Sequence, residues 1–556
     1  MKISRHYLGL AIVFALGITL RFWHLDFKPF WLDEVITALI TLGRSYSDVP
    51  VEVVFPISRL PEIFTFNSAA TCPEIARTLA TQSTHPPLFF CLMHAWVAKF
   101  GTQYSELRTV LRSLPALFGV GAIAAIYCLS RVAFSPKVGL MAAALMAVSP
   151  FGVYISQEAR HYTLPVLLIT LSLLVLIQIQ QDIQQQKLRP IVWFCWVAIN
   201  TTGLYVHYFY ILALLAEFAT LIVFLLKRPQ LKAFFPTLPI IPLLAMSLPF
   251  VFFIPWLPIL IGHFGRPETS WLPAPQNIAP LYQTIAAWLL MVIALPVENQ
   301  PLWIAIPAGL LMIIFGGWLG WHVFQGIKQL WHNKETQMAT LTLASFSFFV
   351  LLELLAIVYI LGKDITIAPR YNFIYYPAIC ALIAAALVNK ESEKLSTSKL
   401  SPTLLLAGIL SCIFVLYGLA FQKPYNPQQV AQNMLREPHV PLMVVMGYND
   451  SQDIALGLSF ALGIDRISAN RCEVNASICP KFAFFKLSPG YDSVWQNLSQ
   501  LPTPQTLPLN LWIVAPGLRQ RDYPSQLALS GKTNCAIDPS EYHRIGIPYQ
   551  LYRCYS

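Results

Sequence analysis

The chain has 556 residues, of which 56% are hydrophobic and only 12% are charged, and its net charge is +10. Soluble domains carry about 25% charged residues, so this composition excludes a soluble protein and predicts an integral membrane protein with many spans. A positive net charge is also found in nucleic-acid-binding proteins, but the sequence has no motif of that class. Lys and Arg retained in cytoplasmic loops explain the charge better.

The first predicted span, at about 7–24, follows two basic residues and has no small-residue cleavage site, which indicates an uncleaved span with its N-terminus inside. It leads into Trp31-Leu32-Asp33-Glu34. A carboxylate at the middle of a bilayer costs roughly 2.5–3.5 kcal/mol, so two in a row mark the exit from the hydrocarbon. A membrane-exit signal would explain a single acid. The adjacent pair, together with three further polar clusters, favours a reaction site.

Ten more spans are predicted from apolar length and oriented by the asymmetry of Lys and Arg. They lie at about 113–133, 138–155, 163–180, 191–206, 209–226, 237–260, 302–321, 339–361, 372–388 and 402–421. Two apolar helices, 86–100 and 278–294, are assigned to the outer loops 25–111 and 262–300, because crossing there would put basic residues on the wrong side. This topology places every strongly basic loop inside and all four polar interruptions outside.

Residues 422–556 follow the predicted transmembrane domain, 1–421, and form a polar region placed outside. Strand-like segments at Leu442–Met446 and Leu511–Val514 alternate with turns, which is typical of a small α/β domain. Four of the ten cysteines lie here and permit two disulfides in an oxidising compartment; they are Cys472, Cys479, Cys535 and Cys554. The predicted fold class is an all-α polytopic membrane protein with about 11 spans and a small C-terminal extracytoplasmic α/β domain.

Ionisable and aromatic residues gather at one end of the predicted spans, and an ionisable residue at membrane depth is a functional candidate. The candidate catalytic residues are Asp33 and Glu34, and the candidate donor-phosphate or substrate-binding residues are His85, Arg108, Glu158, Arg160, His161, Tyr162, His207, Arg370 and Tyr371. Tyr162, His207 and Tyr371 are better explained as interfacial aromatics, and each of the other candidates alone is as well explained as an interfacial anchor or a structural ion pair. The combination of acids with arginines favours a catalytic site.

These residue types suit sugar transfer from a lipid-linked phosphate. A carboxylate of Asp33 or Glu34 removes the proton of an acceptor hydroxyl. The guanidinium groups of Arg160 and Arg370 hold the leaving phosphate in a fork and stabilise its charge. His85, whose backbone is fixed by the two prolines that follow it, is predicted to donate a hydrogen bond. No Cys or His spacing indicates zinc, and one Asp-Glu pair supplies too few oxygens for a hard cation, so no metal or other cofactor is predicted.

Four motifs carry a resemblance to a known family. They are Trp31-Leu32-Asp33-Glu34; Thr84-His85-Pro86-Pro87-Leu88 with Leu107-Arg108 to Leu114-Pro115; Ser149-Pro150 to Ser156-Gln157-Glu158-Ala159-Arg160-His161-Tyr162; and Pro369-Arg370-Tyr371 with Tyr376-Pro377-Ala378. In this order, over about residues 1–390, they resemble the protein O-mannosyltransferase and aminoarabinose-transferase group. These are family 39-like, GT-C-fold glycosyltransferases that depend on polyprenyl-phosphate sugars.

The resemblance implies inverting transfer from an undecaprenyl- or dolichyl-phosphate sugar on the outer face, with Asp33 and Glu34 catalytic and no nucleotide sugar used. Two departures weaken the case for an aminosugar donor and for lipid A as acceptor. His85 stands where aminoarabinose transferases have Lys, and the segment 157–162 lacks the Asp that those enzymes carry after Ala-Arg.

Two alternatives remain open. A transporter or flippase of lipid-linked glycans also needs basic residues in a cavity, but it predicts inverted repeats and charges near the midplane, which this sequence lacks. A structural membrane protein would leave the four clusters unexplained. The sequence therefore predicts a multi-pass protein of a bacterial-type plasma membrane that contacts membrane lipids, a polyprenyl-phosphate-linked sugar donor and a lipid, glycan or protein acceptor.

Overall fold

The computed structural model describes residues 2–101, 103–227, 240–266, 272–391, 400–474, 478–501, 507–530 and 533–555. The chain forms two compact units. The first, called the helical unit, consists of Met1–Leu25, Ser83–Leu92 and Leu111–Gln422. The second, called the sheet unit, consists of Asp26–Gln82, Met93–Val110 and Lys423–Ser556.

Helices dominate the described chain. In chain order they are α1 (Lys2–Phe22), α2 (Leu32–Thr41), α3 (Leu60–Ile63), α4 (Cys72–Gln82), α5 (Leu88–Phe100), α6 (Leu107–Ala133), α7 (Pro136–Ala147), α8 (Pro150–Ser156), α9 (Thr163–Gln184), α10 (Pro190–Val206), α11 (Tyr210–Leu226), α12 (Ile240–Phe253), α13 (Leu257–His263), α14 (Ala279–Leu290), α15 (Leu302–His332), α16 (Gln337–Ile360), α17 (Tyr376–Glu391), α18 (Leu400–Leu416), α19 (Pro427–Met434), α20 (Ser451–Val474) and α21 (Tyr491–Ser499).

Several helices are long and apolar enough to cross a membrane. Within the described ranges there are six by length and composition, or seven if α7 and α8 form one bent span. The six are Arg5–Phe22, Tyr104–Ala133, Thr163–Gln184, Leu244–His263, Leu302–His332 and Gln337–Ile360. Shorter apolar helices include Leu88–Phe100 and Pro190–Val206. These helices confirm the predicted polytopic helical membrane protein, while the count of eleven spans stays a prediction.

The predicted span 138–155 consists of two helices, α7 and α8, with a bend of 59° between them, so it is a broken span or a re-entrant segment. Pro150 has no N–H to continue the first helix and instead begins the second. The Ser149 hydroxyl caps the new helix by accepting a hydrogen bond from the backbone N–H of Gly152, at 3.2 Å.

A buried arginine stabilises this break. The Arg21 guanidinium donates to the carbonyl oxygens of Met146 and Ala147, at 2.8 and 3.0 Å, in the last turn of α7. The C-terminal carbonyls of a helix have no intrahelical partner and carry partial negative charge, so a cation is favourable there. Gly119 leaves room for this side chain, since a Cβ at that position would lie 2.9 Å from Arg21 Nε.

Other span boundaries agree with the structure to within a few residues, with two differences. The helix predicted at 302–321 continues to His332 as α15. The segment predicted as a span at 237–260 consists of α12, a 3-10 turn at Ile254–Trp256 and α13. Residues 237–239 of that prediction, and most of the basic loops expected near Lys232 and Lys399, lie outside the described residues.

The sheet unit contains a seven-stranded mixed sheet in the order β1-β3-β2-β4-β7-β6-β5. The strands are β1 (Val54–Pro56), β2 (Leu442–Tyr448), β3 (Lys481–Lys486), β4 (Leu509–Val514), β5 (Gln526–Leu529), β6 (Thr533–Ile545) and β7 (Ile547–Cys554). The predicted strand segments in β2 and β4 are confirmed. Strand β2 is parallel to β3 and β4, which requires crossover connections and explains the intervening helices α20 and α21.

The first strand was not predicted. Val54–Pro56 comes from the long loop after α1, yet it pairs antiparallel with β3 at the edge of the sheet, with Phe55 opposite Phe482. The sheet unit therefore combines this loop with the C-terminal residues, whereas the predicted domain boundary followed chain order. Two disulfides, Cys472–Cys479 and Cys535–Cys554, lie in this unit.

Candidate functional site

Most of the candidate binding residues lie where helices of the helical unit are interrupted. His85 precedes α5, and Arg160 and His161 belong to the turn between α8 and α9. His207 lies between α10 and α11, and Arg370 lies in a 3-10 turn, Pro369–Phe373. Breaks between helices expose backbone and present polar side chains at the ends of the apolar segments, so these separate loops contribute to one cluster.

Arg160 and His85 are directly hydrogen bonded. A terminal nitrogen of Arg160, Nη2, lies 3.1 Å from His85 Nε2, and His85 Nδ1 lies 2.8 Å from the Ser83 hydroxyl. A guanidinium only donates, so His85 Nε2 must accept and the ring proton must sit on Nδ1, from which it is donated to Ser83. In the structure, His85 therefore holds the Arg160 side chain, which differs from the predicted role of a donor to the substrate.

His161 lies at the centre of the cluster. Its side chain is fully buried, and its ring centroid lies 5.0 Å from that of His85 and 4.6 Å from that of His207. Neither ring nitrogen of His161 has a hydrogen-bond partner among the described residues. Leaving a buried polar atom unpaired costs about 1–3 kcal/mol, so this ring is suited to receive a polar group that enters the site.

His207 is held by its own backbone environment. The backbone N–H of Phe209 donates to His207 Nδ1 at 2.9 Å, so the ring proton sits on Nε2. The ring also packs against Phe373, with centroids 4.9 Å apart. The Nε2–H of this neutral ring is therefore oriented by contacts on its other side.

Burial and the nearby arginines keep all three histidines neutral. Burial is the main cause that lowers the pKa of His207, to about 3, and the charges of Arg160 and Arg370 lower it further. Burial is also the main cause that holds the pKa of His85 and of His161 well below the usual value, with Arg160 and Arg370 again contributing. The cluster thus has a positive potential that disfavours added protons and favours an anion.

Aromatic rings flank both guanidinium groups. Arg160 lies 5.8 Å from the centroid of the Tyr162 ring, and Arg370 lies 5.4 Å from that of Tyr371. Both distances are within the range of cation–π attraction. The Tyr371 ring makes an edge contact with Phe209, with centroids 5.0 Å apart. These contacts limit the directions in which each arginine can point.

Two further residues of the second outer motif are buried beside this cluster. Glu158 is 5% exposed, and its carbonyl oxygen accepts from the backbone N–H of Arg160 at 2.7 Å. The amide of Gln157 donates to the carbonyl oxygen of Trp23 at 2.7 Å, which ties the turn to the end of α1. Arg112, in α6, donates to the carbonyl oxygen of Leu25 at 2.6 Å, which ties α6 to the segment after α1.

The two candidate acids lie in the sheet unit, in the first turn of α2. Trp31 is the N-cap residue, and the backbone N–H of Glu34 bonds back to its carbonyl oxygen at 2.9 Å. Glu34 is 1% exposed, whereas Asp33 is half-buried. The N-terminus of a helix favours negative charge, so the position suits a carboxylate pair.

Arg108 also lies in the sheet unit, at the start of α6. It lines a cavity together with Tyr104, Asp465 and Arg466. The Tyr104 hydroxyl donates to Asp465 Oδ2 at 2.8 Å. Arg108 therefore belongs to the same unit as the two acids, but the cavity that it lines includes neither of them. The other candidates lie in the helical unit: His85, Glu158, Arg160, His161, Tyr162, His207, Arg370 and Tyr371.

Two buried ionisable residues inside predicted spans were not among the predicted candidates. Arg21 is one, and Glu217 is the other; Glu217 accepts hydrogen bonds from Ser172 and from the Trp196 indole, both at 2.7 Å. A charged residue within an apolar span was the available signal. No group of three or more metal-ligand side chains is arranged to hold an ion in the part of the chain that the structure describes.

Comparison with known proteins gives one family match and several similar folds. Residues 84–259 match the family described as dolichyl-phosphate-mannose-protein mannosyltransferase. The fold resembles ArnT from Cupriavidus metallidurans bound to undecaprenyl phosphate, with a TM-score of 0.53, 11% identity, and coverage of 99% of this chain and 98% of that one. ArnT in the apo state gives a TM-score of 0.50 at the same identity and coverage.

The oligosaccharyltransferase of Archaeoglobus fulgidus, tethered with an acceptor peptide, gives a TM-score of 0.44 at 13% identity over 82% of this chain. The chain spans 63% of the length of that protein. No curated protein sequence matches the chain. At 11% identity the likeness to ArnT shows a shared fold, and the family match includes the residues from His85 to His207. Together they confirm the predicted resemblance to this group of glycosyltransferases.

Proposed function

We propose that this GT-C-type membrane glycosyltransferase moves a sugar from a polyprenyl-phosphate donor to an acceptor hydroxyl at the extracytoplasmic face, with inversion at the anomeric carbon. The observation that carries the proposal is the cluster of Arg160, Arg370 and three neutral histidines, in which Arg160, His161 and His207 are buried and His85 and Arg370 are partly buried. Burial keeps the three histidines neutral, and the two arginines supply positive charge, so the cluster is suited to a phosphate anion.

In the proposed complex, Arg160 and Arg370 bind the donor phosphate. A guanidinium offers several N–H donors in a plane, which match two phosphate oxygens and grip them more tightly than a point charge would. His85 accepts one N–H of Arg160 at 3.1 Å and thereby fixes the plane of the guanidinium. We assign His85 to orientation of Arg160 rather than to direct contact with the phosphate.

His161 and His207 complete the proposed phosphate site. Each neutral ring carries one N–H, and that of His207 is on Nε2, because Nδ1 accepts from the backbone of Phe209. Both ring nitrogens of His161 are without a partner among the described residues, so a phosphate oxygen that accepts from this ring offsets the cost of an unpaired buried N–H. Tyr162 and Tyr371, beside the arginines, are placed to contact the sugar or the lipid head.

The proposed chemistry is a single displacement. The carboxylate of Asp33 takes the proton of the acceptor hydroxyl, whose oxygen bonds to the anomeric carbon while the bond from that carbon to the phosphate oxygen breaks. The electron pair stays with the leaving polyprenyl phosphate, where Arg160 and Arg370 stabilise it. We favour Asp33 over Glu34 as the base, since Glu34 is 1% exposed and Asp33 is more accessible. Glu34 and Glu158 are assigned to the electrostatics of the site, and Arg108 to the acceptor.

Two observations support the donor class and the side of the membrane. The matched family is described by dolichyl-phosphate-mannose, and the ArnT structure of similar fold is bound to undecaprenyl phosphate. The two disulfides of the sheet unit favour an oxidising compartment, which in a bacterial cell lies outside the plasma membrane.

The test is a donor assay in proteoliposomes. Purified protein is given radiolabelled sugars as polyprenyl phosphates or as nucleotide sugars, with a membrane extract as the source of acceptor. We expect label transfer from the polyprenyl phosphates only, and its loss in Arg160→Ala. Arg189→Ala serves as the matched control, since Arg189 is half-exposed and pairs with Asp182 in another loop. Transfer from nucleotide sugars, or full activity of Arg160→Ala, would refute the proposal.

A further inference from the structure

The segment that carries the two candidate acids is anchored by residues from the C-terminal part of the chain. Leu32, the first residue of α2, donates its backbone N–H to the Tyr425 hydroxyl at 2.7 Å. The first N–H groups of a helix have no intrahelical partner, so this bond supplies an acceptor that the helix itself lacks. The residue that follows Leu32 is Asp33.

The Tyr425 side chain is held in place by packing against α20. It is 9% exposed, and its ring makes an edge contact with Phe460 of α20, with centroids 6.0 Å apart. Helix α2 also packs along α20, and Val35, Ala38 and Leu39 on α2 are buried. The hydroxyl that meets Leu32 is therefore part of the packed C-terminal fold and has little freedom to move.

Lys423 makes a second anchor, at the residue before α2. Its ammonium lies 3.8 Å from the centroid of the Trp31 ring. At this distance the ammonium is attracted to the face of the ring, more strongly where the pair is shielded from water. Trp31 is the N-cap of α2, so this contact holds the backbone from which the helix starts.

The same loop is held at two more points in the sheet unit. Arg466, on α20, donates to the carbonyl oxygen of Phe27 at 2.9 Å. Farther along the loop, β1 pairs with β3 through Val54–Pro56. The acid-bearing segment is thus bracketed on both sides by contacts with the C-terminal residues.

From these contacts we infer that Tyr425 and Lys423 are positioning residues for the acid pair, so that the C-terminal α/β fold is a part of the catalytic apparatus. The inference rests on the proposed role of Asp33 and Glu34. A carboxylate one residue from the start of a helix changes its direction whenever the first turn shifts. A misplacement of 1 Å costs about 10²-fold in rate, so a backbone anchor at this position controls turnover.

The test compares Tyr425→Phe with Tyr491→Phe. The Tyr491 hydroxyl donates to the carbonyl oxygen of Pro516 at 2.7 Å in the same unit, so the control removes a bond of similar length away from α2. We expect Tyr425→Phe to lower kcat about 10-fold, less than a full 1 Å misplacement would, with the KM for the polyprenyl-phosphate sugar within about twofold. Tyr491→Phe should retain the wild-type kcat.

Lys423 gives an independent test by rescue. Lys423→Met should lower kcat with KM unchanged, and Lys423→Arg, which keeps a cation over the Trp31 ring, should restore it. An equal fall in kcat in Tyr425→Phe and Tyr491→Phe would show that the fall reflects lower overall stability, and would overturn the positioning role. A rise in KM without a fall in kcat in Tyr425→Phe would also overturn the positioning role.

The failure of this inference can be separated from the failure of the proposed function. If Asp33→Asn is inactive while Tyr425→Phe has the wild-type kcat, the positioning role alone is wrong. If Asp33→Asn retains the wild-type kcat, the assignment of the acids is wrong and the inference falls with it.

Discussion

The basic cluster of the helical unit and the acid-bearing segment of the sheet unit are held in different ways. Side chains hold the cluster: Arg160 bonds to His85, and His161 packs between two other histidine rings. The acid segment is held largely through its backbone, at Phe27 and Leu32 and by the pairing of β1. A substitution in the cluster therefore removes the binding group itself, whereas the backbone contacts that hold the acid segment are formed by other residues.

The largest expected effect is that of Asp33→Asn. General-base catalysis contributes typically about 10²–10⁴-fold, and we expect kcat to fall by about 10³-fold because the amide cannot accept the hydroxyl proton. The contacts that anchor the start of α2 do not involve this side chain, so the stability of the variant in detergent should fall only by the lost attraction between the carboxylate and the helix N-terminus, about 0.3–1 kcal/mol, measured by thermal unfolding.

Glu34→Gln sharpens the comparison between the two acids. Glu34 is buried and Asp33 is half-buried, so we expect Glu34→Gln to lower kcat less than Asp33→Asn does. Both variants are assayed with saturating polyprenyl-phosphate sugar. A larger loss in Glu34→Gln would exchange the roles of the two acids.

The next largest fall in kcat is expected for Arg160→Lys and Arg370→Lys. Lysine keeps the charge but loses the planar fork, and loss of one preorganised donor to a developing anion costs about 10²–10³-fold in kcat. We expect a fall of about 10²-fold for each variant, larger for Arg160, which His85 orients. Rates are measured in proteoliposomes beside Arg189→Lys, and equal rates in all three would show that charge alone suffices.

The sequence predicted most helices because long apolar segments are a direct signal of a span. It did not predict the break between α7 and α8, because Arg21 stabilises that break from a distant part of the chain. For the same reason it missed β1, a three-residue edge strand whose partner lies in the C-terminal part. Four of the candidate side chains, His85, Arg160, His161 and His207, do gather, but the roles of His85 and of Tyr425 depend on hydrogen bonds that no spacing encodes.

His161→Phe separates binding from stability within the cluster. Phenylalanine keeps a ring among His85, His207 and Phe89 and removes two buried nitrogens that have no partner among the described residues. We expect the variant to unfold at a higher temperature than the wild type. We also expect it to bind the donor about tenfold more weakly, because the loss of one hydrogen bond lowers affinity by about that factor. Thermal unfolding and donor affinity are measured on the same preparation, and wild-type affinity would remove His161 from the phosphate site.

The smallest expected effect is the contribution of one histidine to the pH dependence of stability. Burial and the two arginines lower the pKa of His207 to about 3, whereas in the unfolded chain it is about 6.5. Below pH 6.5 the unfolded chain therefore binds a proton that the folded protein does not, and stability falls as pH falls. Each histidine contributes at most about 1.4 kcal/mol per pH unit in this window.

His207→Asn keeps an acceptor for the Phe209 N–H but has no group that titrates in this range. We therefore expect its unfolding temperature to decline less steeply than that of the wild type between pH 6.5 and 4.5. His439→Asn removes an exposed imidazole and controls for the substitution; an unchanged slope in His207→Asn would show that His207 is already protonated in the folded protein.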